Sequence, residues 1–137
     1  MGAQTTRLDQ ARANNIHGIE IFFEDLEYLA RKESNIPSSS PPTPEAWLHA
    51  AQTIRRLCDE RDLTIIRFQP FMHYEGLLDR QEHMERIEKL KLWFRIAKVL
   101  GTDIIQIPGN FLGQDKITGD LDVVVMDLKK VTDMGLK

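Results

Sequence analysis

Apolar and polar residues change period repeatedly along this chain, and the changes mark strands alternating with helices. Three runs, GIEIFF at 18–23, LTIIRFQ at 63–69 and DIIQI at 103–107, are rich in β-branched and aromatic residues and predict strands. Their apolar density suits a sheet covered on both faces. Prolines end the second and third, at Pro70 and Pro108. Elsewhere the period lengthens to that of a helix. Residues 5–15 predict a weak helix capped by Thr5 or Thr6, with Leu8, Ala11 and Ala13 on it and Asn14-Asn15 ending it. A short helix through Leu26, Tyr28, Leu29 and Ala30 follows the first strand. Thr43-Pro44-Glu45 opens the next, combining a cap, a first-turn proline and an acid at the positive end of the helix dipole. Its apolar face is Trp47, Ala50, Ala51, Ile54, Leu57 and Cys58. The longest helix spans about 80–100. Asp79 and Glu82 form its capping box, and Gly101 stands at its C-terminal glycine position. Its apolar stripe is Ile87, Leu90, Phe94 and Ala97, widened by Trp93, Ile96 and Leu100. A last helix from Asp120 carries the stripe Leu121, Val124, Val125, Leu128 and Val131.

Strand followed by helix, three times over, specifies an α/β fold with a parallel sheet flanked by helices. Residues 133–137 read as a helix-to-strand junction, so residues 1–137 are expected to form one incomplete barrel domain. A Ser/Pro-rich segment at 34–43 interrupts it as an exposed loop. The net charge of −3 and a pI near 5.8 argue against a nucleic-acid surface. No apolar run is long enough to predict a membrane span. The first residues lack the apolar stretch of a signal peptide. Met1-Gly2 with Thr6 fits a myristoylation start, a pattern common by chance. Cys58 is the sole cysteine, so no internal disulfide forms and a reducing, cytoplasmic location is expected.

Parallel sheets present their chemistry at the C-terminal ends of the strands. That rule selects Glu20 to Asp25, Gln69 to Gly76, and Gln106 to Phe111. The second segment is the richest, with Gln69, His73, Tyr74 and Glu75 beside aromatic neighbours. Such groups can hydrogen-bond a polyhydroxylated small molecule while the rings exclude water. The plainer reading is a polar loop with a capping glutamate. Glu20 is either the ion-pair partner of a group such as Arg67 or a polar group near a ligand, because a lone buried carboxylate is costly. Gln69 and Gln106 suit a shared polar floor, or are satisfied core amides. His73 and Glu75 offer two metal ligands, fewer than a catalytic ion takes. Helix capping accounts for Glu24-Asp25. Cys58 lies on an apolar helix face and reads as core; His17, His49 and His83 read as structural or surface residues. Walker, GxGxxG and GxSxG motifs are absent.

GIEIFFEDLEYLA at 18–30, QPFMHYEGLLD at 69–79 and IQIPGNFL at 105–112 resemble fungal 3-dehydroshikimate dehydratases, of the xylose isomerase-like TIM-barrel group. IEKLKLWF at 87–94 and TGDLD at 118–122 extend the resemblance over nearly the whole chain. It implies a partial TIM (β/α)8 barrel of about three parallel βα units. It implies dehydration of 3-dehydroshikimate to protocatechuate, in quinate and shikimate catabolism, assisted by a divalent metal (Mg or Mn). The metal ligands of that family lie on later strands, so no metal is expected in this chain alone, which is expected to be an inactive fragment. The implied substrate-binding residues are Gln69, His73 and Tyr74, with Glu20, Gln106 and Asn110. Gly109 and Arg67 depart from the family pattern. Two other expectations stand beside this one: a non-catalytic half-barrel that self-associates through open sheet edges, and a sugar or sugar-phosphate isomerase or epimerase of the same group.

Overall fold

A computed structural model describes residues 2–136, with side chains from residue 5. Met1, which opens the myristoylation pattern, lies outside the described residues. The elements run in the order α1 (Gly2–Ala13), β1 (Gly18–Phe22), α2 (Phe23–Glu33), α3 (Pro44–Asp59), β2 (Thr64–Gln69), α4 (Arg80–Leu100) and α5 (Leu121–Gly135). Two compact units result. One comprises the chain up to Gln69 together with Arg95–Ile105; the other comprises Pro70–Phe94 together with the chain from Gln106 onward.

In the first unit β1 and β2 pair in parallel, as the repeated strand-helix pattern requires. Ile21, Ile65 and Phe68 are buried with Leu26, Leu29 and Ala30 of α2 and with Trp47, Ala50, Ala51, Ile54, Leu57 and Cys58 of α3. Phe23 stacks on Trp47 with ring centres 4.9 Å apart. It starts α2, where the sequence pattern placed it in the strand. The thiol of Cys58 is pushed up to about 11, first by burial and then by Asp59, as suits a core residue. The other strand face is uncovered: Glu20, Phe22 and Ile66 are exposed, against the expectation of a sheet buried on both sides.

The third strand is reduced to a single parallel bridge between Phe68 and Ile105. The cause is local. The Thr102 hydroxyl donates to the Ile66 carbonyl at 2.7 Å and accepts from the Ile104 amide at 3.2 Å. A side chain thereby takes the place of a ladder bond, leaving the Phe68 amide to reach the Ile104 carbonyl at 2.9 Å.

Several helix ends follow the sequence signals. Thr43 Oγ1 accepts from the Ala46 amide at 3.2 Å with Pro44 in the first turn of α3. Asn15 closes α1 at φ +58°. Thr5 and Thr6 lie inside α1 rather than capping it. Segment 34–43 is a loop, held by Arg31, which donates to the carbonyls of Pro37 and Ser40.

In the second unit Phe71, Tyr74, Leu77, Ile87, Leu90 and Trp93 are buried. Phe71 meets Trp93 edge-on, with ring centres 5.0 Å apart. Leu77 and Ile117 form an antiparallel bridge.

Gly101 follows α4 at φ +77°, and a Cβ there would lie 1.3 Å from Nη1 of Arg55, which donates to the Leu100 carbonyl at 3.0 Å. Gly101→Ala therefore forces a left-handed alanine and expels the arginine; the expected cost is about 1–2 kcal/mol, read as a lower urea midpoint at unchanged slope.

Candidate functional site

The sequence-predicted polar residues fall into two groups, one in each unit. In the first unit β2 carries one extra residue: Ile19 pairs with Ile65, but Glu20 pairs with Arg67. That bulge at Ile66 brings the two charges opposite each other. Arg67 Nη2 lies 2.9 Å from Glu20 Oε1, and Gln69 Nε2 donates to Glu20 Oε2. Gly18 makes room for the bulge, since a Cβ there would meet Cδ1 of Ile66 at 2.6 Å. Glu20 is thus paired as its strand position demands, and all three side chains keep partial exposure.

In the second unit the loop after β2 is folded back on itself. His73 has φ +56° and Gly76 φ +70°, two left-handed residues within four. His73 Nδ1 lies 3.2 Å from Asn110 Oδ1. The amide orientation of Asn110 follows from its other bonds: Nδ2 donates to the Glu75 carbonyl at 2.8 Å, and Oδ1 accepts from the Leu112 amide at 3.1 Å. Oδ1 can only accept, so Nδ1 of His73 carries the proton. In the neutral ring this leaves Nε2 with a free lone pair, and Nε2 has no hydrogen-bond partner among the described residues. Phe111 packs edge-on against the ring at 4.6 Å. The Asn110 amide donates to Glu75 Oε1, while Glu75 Oε2 is buried without a hydrogen-bond partner among the described residues. Gln106 is half-buried, and its carbonyl accepts from the Phe71 amide at 2.9 Å.

Tyr74 sits elsewhere. It is fully buried, and its hydroxyl donates to the Asp127 carbonyl at 3.0 Å. Burial, then the Asp127 charge, push its phenol up to about 12. It holds the loop from inside and presents no surface.

The sequence reading missed the buried centre of this unit. Asp127 is 1% exposed. Its Oδ2 accepts from the Gly76 amide at 2.9 Å and from Arg80 Nη1 at 3.0 Å, and its Oδ1 accepts from Arg80 Nη2 at 2.6 Å. Burial pulls the Asp127 carboxyl up, but these donors outweigh it and hold the group below the usual carboxylate range. His83, read as a structural or surface residue, is 3% exposed beside it. Arg80 Nη2 lies 3.1 Å from His83 Nδ1. A guanidinium only donates, so Nδ1 is bare and the ring is the neutral Nε2–H form. Nε2 lies 3.2 Å from Asp127 Oδ1, off the axis of a hydrogen bond. Burial lowers the His83 pKa, with Arg80 and Lys130 adding to the effect and Asp127 opposing it.

The expected face of α5 is corrected accordingly. Leu121, Val125 and Leu128 are exposed, while Val124, Asp127 and Val131 turn inward. The signal was present as a lone acid at helical spacing between two valines.

The pattern of the family described as Xylose isomerase-like TIM barrel matches residues 8–135. The 3-dehydroshikimate dehydratase of Neurospora crassa is 48% identical over 131 residues, 95% of this chain and 36% of that protein. The 3-dehydroshikimate dehydratases of Pseudomonas putida and Pseudomonas aeruginosa are 30% and 29% identical, covering 93% and 87% of this chain but 17% and 16% of their own lengths. The chain thus spans a minor part of each relative. A solved xylose isomerase-like TIM barrel/4-hydroxyphenylpyruvate dioxygenase fusion protein superposes with a TM-score of 0.76 at 24% identity, over 98% of this chain and 18% of that one, a likeness of fold.

The neutral His83 and ionised Asp127 fix the sign of a pH effect. Both folded-state pKa values lie below their ordinary values, 6.5 and 3.8. The unfolded chain therefore binds more protons, and stability is full above 6.5 and falls on acidification, through His83 first and Asp127 at lower pH. Protonating His83 would also set an N–H against the Arg80 guanidinium. Urea midpoints measured between about pH 7.5 and about pH 5 are expected to fall, with a shallower slope in His83→Gln.

Proposed function

We propose that this chain, which belongs to the xylose isomerase-like TIM barrel family, serves in the dehydration of 3-dehydroshikimate and contributes substrate-binding groups to it. The support is the extent of its similarity to the Neurospora enzyme, and one observation carries the assignment of residues: His73 is held at a positive φ with its proton fixed on Nδ1 and its Nε2 open. A non-glycine residue in that conformation is costly and persists where the surroundings over-determine it. Here Asn110, Glu75 and Phe111 do so. An open imidazole acceptor suits a hydroxyl group on a small polyhydroxylated ring. Gln69, Glu20 and Gln106 are further binding groups in this reading, whereas Tyr74 supports the loop.

The resemblance implies a divalent metal, Mg or Mn, as a Lewis acid toward the ring ketone. Among the described residues no three His, Cys, Asp or Glu side chains converge, and a catalytic ion normally takes at least three protein ligands. The described residues do not fit that group. The reading places the chain in quinate catabolism and, on its lone buried cysteine, in the reducing cytoplasm. Among the described residues no helix is long and apolar enough to cross a membrane.

Adding 3-dehydroshikimate to the chain is expected to shift the ¹⁵N resonance of His73 Nε2 and the Asn110 amide, with binding weakened by about 1–2 kcal/mol in His73→Ala. Spectra indifferent to the ligand would overturn this assignment.

A second reading, association of the half-barrel, is favoured by the second unit, where Leu121, Val125, Met126, Leu128 and Leu136 of α5 and its end are 40–82% exposed. Light scattering is expected to give a discrete dimer if that face self-pairs; a monomer at high concentration excludes it.

A further inference from the structure

We propose that Asp127 is the positioning residue of the His73 site, acting through the loop rather than by touching any ligand. This rests on the reading of His73 as a substrate contact, and its own argument is geometric. The loop from Phe71 to Asp79 contains two left-handed residues, His73 and Gly76, so its shape is not one the local sequence would hold unaided. Three attachments on one residue of α5 supply what the loop lacks. The Tyr74 hydroxyl reaches the Asp127 carbonyl, the Gly76 amide reaches its carboxylate, and both terminal nitrogens of Arg80, at the start of α4, grip the same carboxylate. These contacts fall at 74, 76 and 80, so they bracket Glu75. Glu75 in turn takes the Asn110 backbone amide on its side chain and the Asn110 side-chain amide on its carbonyl, and Asn110 Oδ1 sets the His73 proton.

The chain of causes therefore runs from Asp127 to the loop backbone, to Glu75, to Asn110, and ends at the tautomer of His73. Two features separate it from ordinary core packing. The carboxylate, although buried, is matched to three hydrogen-bond donors, the strong charge-assisted kind. And the loop's other backbone ties lie at its two ends: Phe71 to the Gln106 carbonyl at 2.9 Å before His73, and Thr118 to the Gly76 carbonyl at 2.8 Å and Leu78 to the Lys116 carbonyl at 2.9 Å after it. The segment bearing His73 depends on Asp127 from the inside. Room for adjustment is small, since a Cβ at Gly76 would lie 3.3 Å from Cγ2 of Val124.

The test is Asp127→Asn in this chain, near-isosteric but with an amide group facing Gly76 or Arg80, both donors. The readout is the ¹⁵N spectrum of the His73 imidazole across pH, which a residue acting only on stability would not move. Wild type is expected to show Nδ1 protonated and Nε2 bare in the neutral ring. Asp127→Asn is expected to show a mixture of tautomers, with roughly tenfold weaker binding of 3-dehydroshikimate. Tyr74→Phe removes one attachment and keeps the charge, so it covers the case in which the asparagine variant does not fold; a smaller shift in the same direction is expected. A His73 spectrum unchanged in whichever variant folds would overturn the proposal. If the tautomer responds in a variant but the wild type ignores 3-dehydroshikimate, the positioning role stands and the substrate reading fails.

Discussion

A carboxylate removed from water must be met by donors or give up its charge, and in the second unit that requirement falls on Asp127. Desolvation works against the ion, yet the carboxyl is held below its ordinary range, so the donors decide the outcome. They come from a loop and a helix start some fifty residues earlier in the chain. Folding this unit therefore cannot separate burying α5 from shaping the loop after β2. His83 adds a second condition. Its bare Nδ1 against Arg80 is stable only while the ring is neutral, so the arginine is shared between one ion and one neutral base. Tyr74 belongs to the same arrangement, which explains a phenol that is wholly buried and yet paired.

What was legible in the sequence was local. Thr43 and Asp79 cap their helices as their spacing foretells, because a cap needs only its own next three residues: Asp79 Oδ1, for instance, accepts from the amides of Gln81 and Glu82. The parallel pairing of the first two strands, and the pairing of Glu20 with Arg67, were also within reach, since strand alternation and charge suffice. Two of the misreadings are cases where a distant or side-chain bond competes with the local pattern. Thr102 replaces a ladder bond, and a strand shrinks to one bridge. Donors from Gly76 and Arg80 turn α5 about its axis, so that an acid is buried and leucines are left outside. Counting apolar residues could not foresee that, because the gain lies in an ion pair whose partner is remote in sequence. His83 read as a structural or surface residue and is structural; its neighbour Asp127 was out of reach for the same reason.

The uncovered strand face in the first unit has its own logic. Glu20, Phe22 and Ile66 lie on the side away from the helices. In a closed barrel of this family that side is the interior, which layers of side chains fill. Charged groups belong there only if they arrive already neutralised. The bulge at Ile66 does this within the pair of strands itself, bringing Arg67 opposite Glu20 and letting Gln69 donate to the other carboxylate oxygen. An unbulged register would have set Glu20 against Ile66 and left both charges to find partners on other strands. Neutralisation is thus a property of two strands and one extra residue, and it does not depend on how the rest of a barrel is assembled. Arg67 has a structural reason to be where it is: any smaller neutral residue at that position would leave Glu20 with Gln69 alone, a single neutral donor for a whole negative charge.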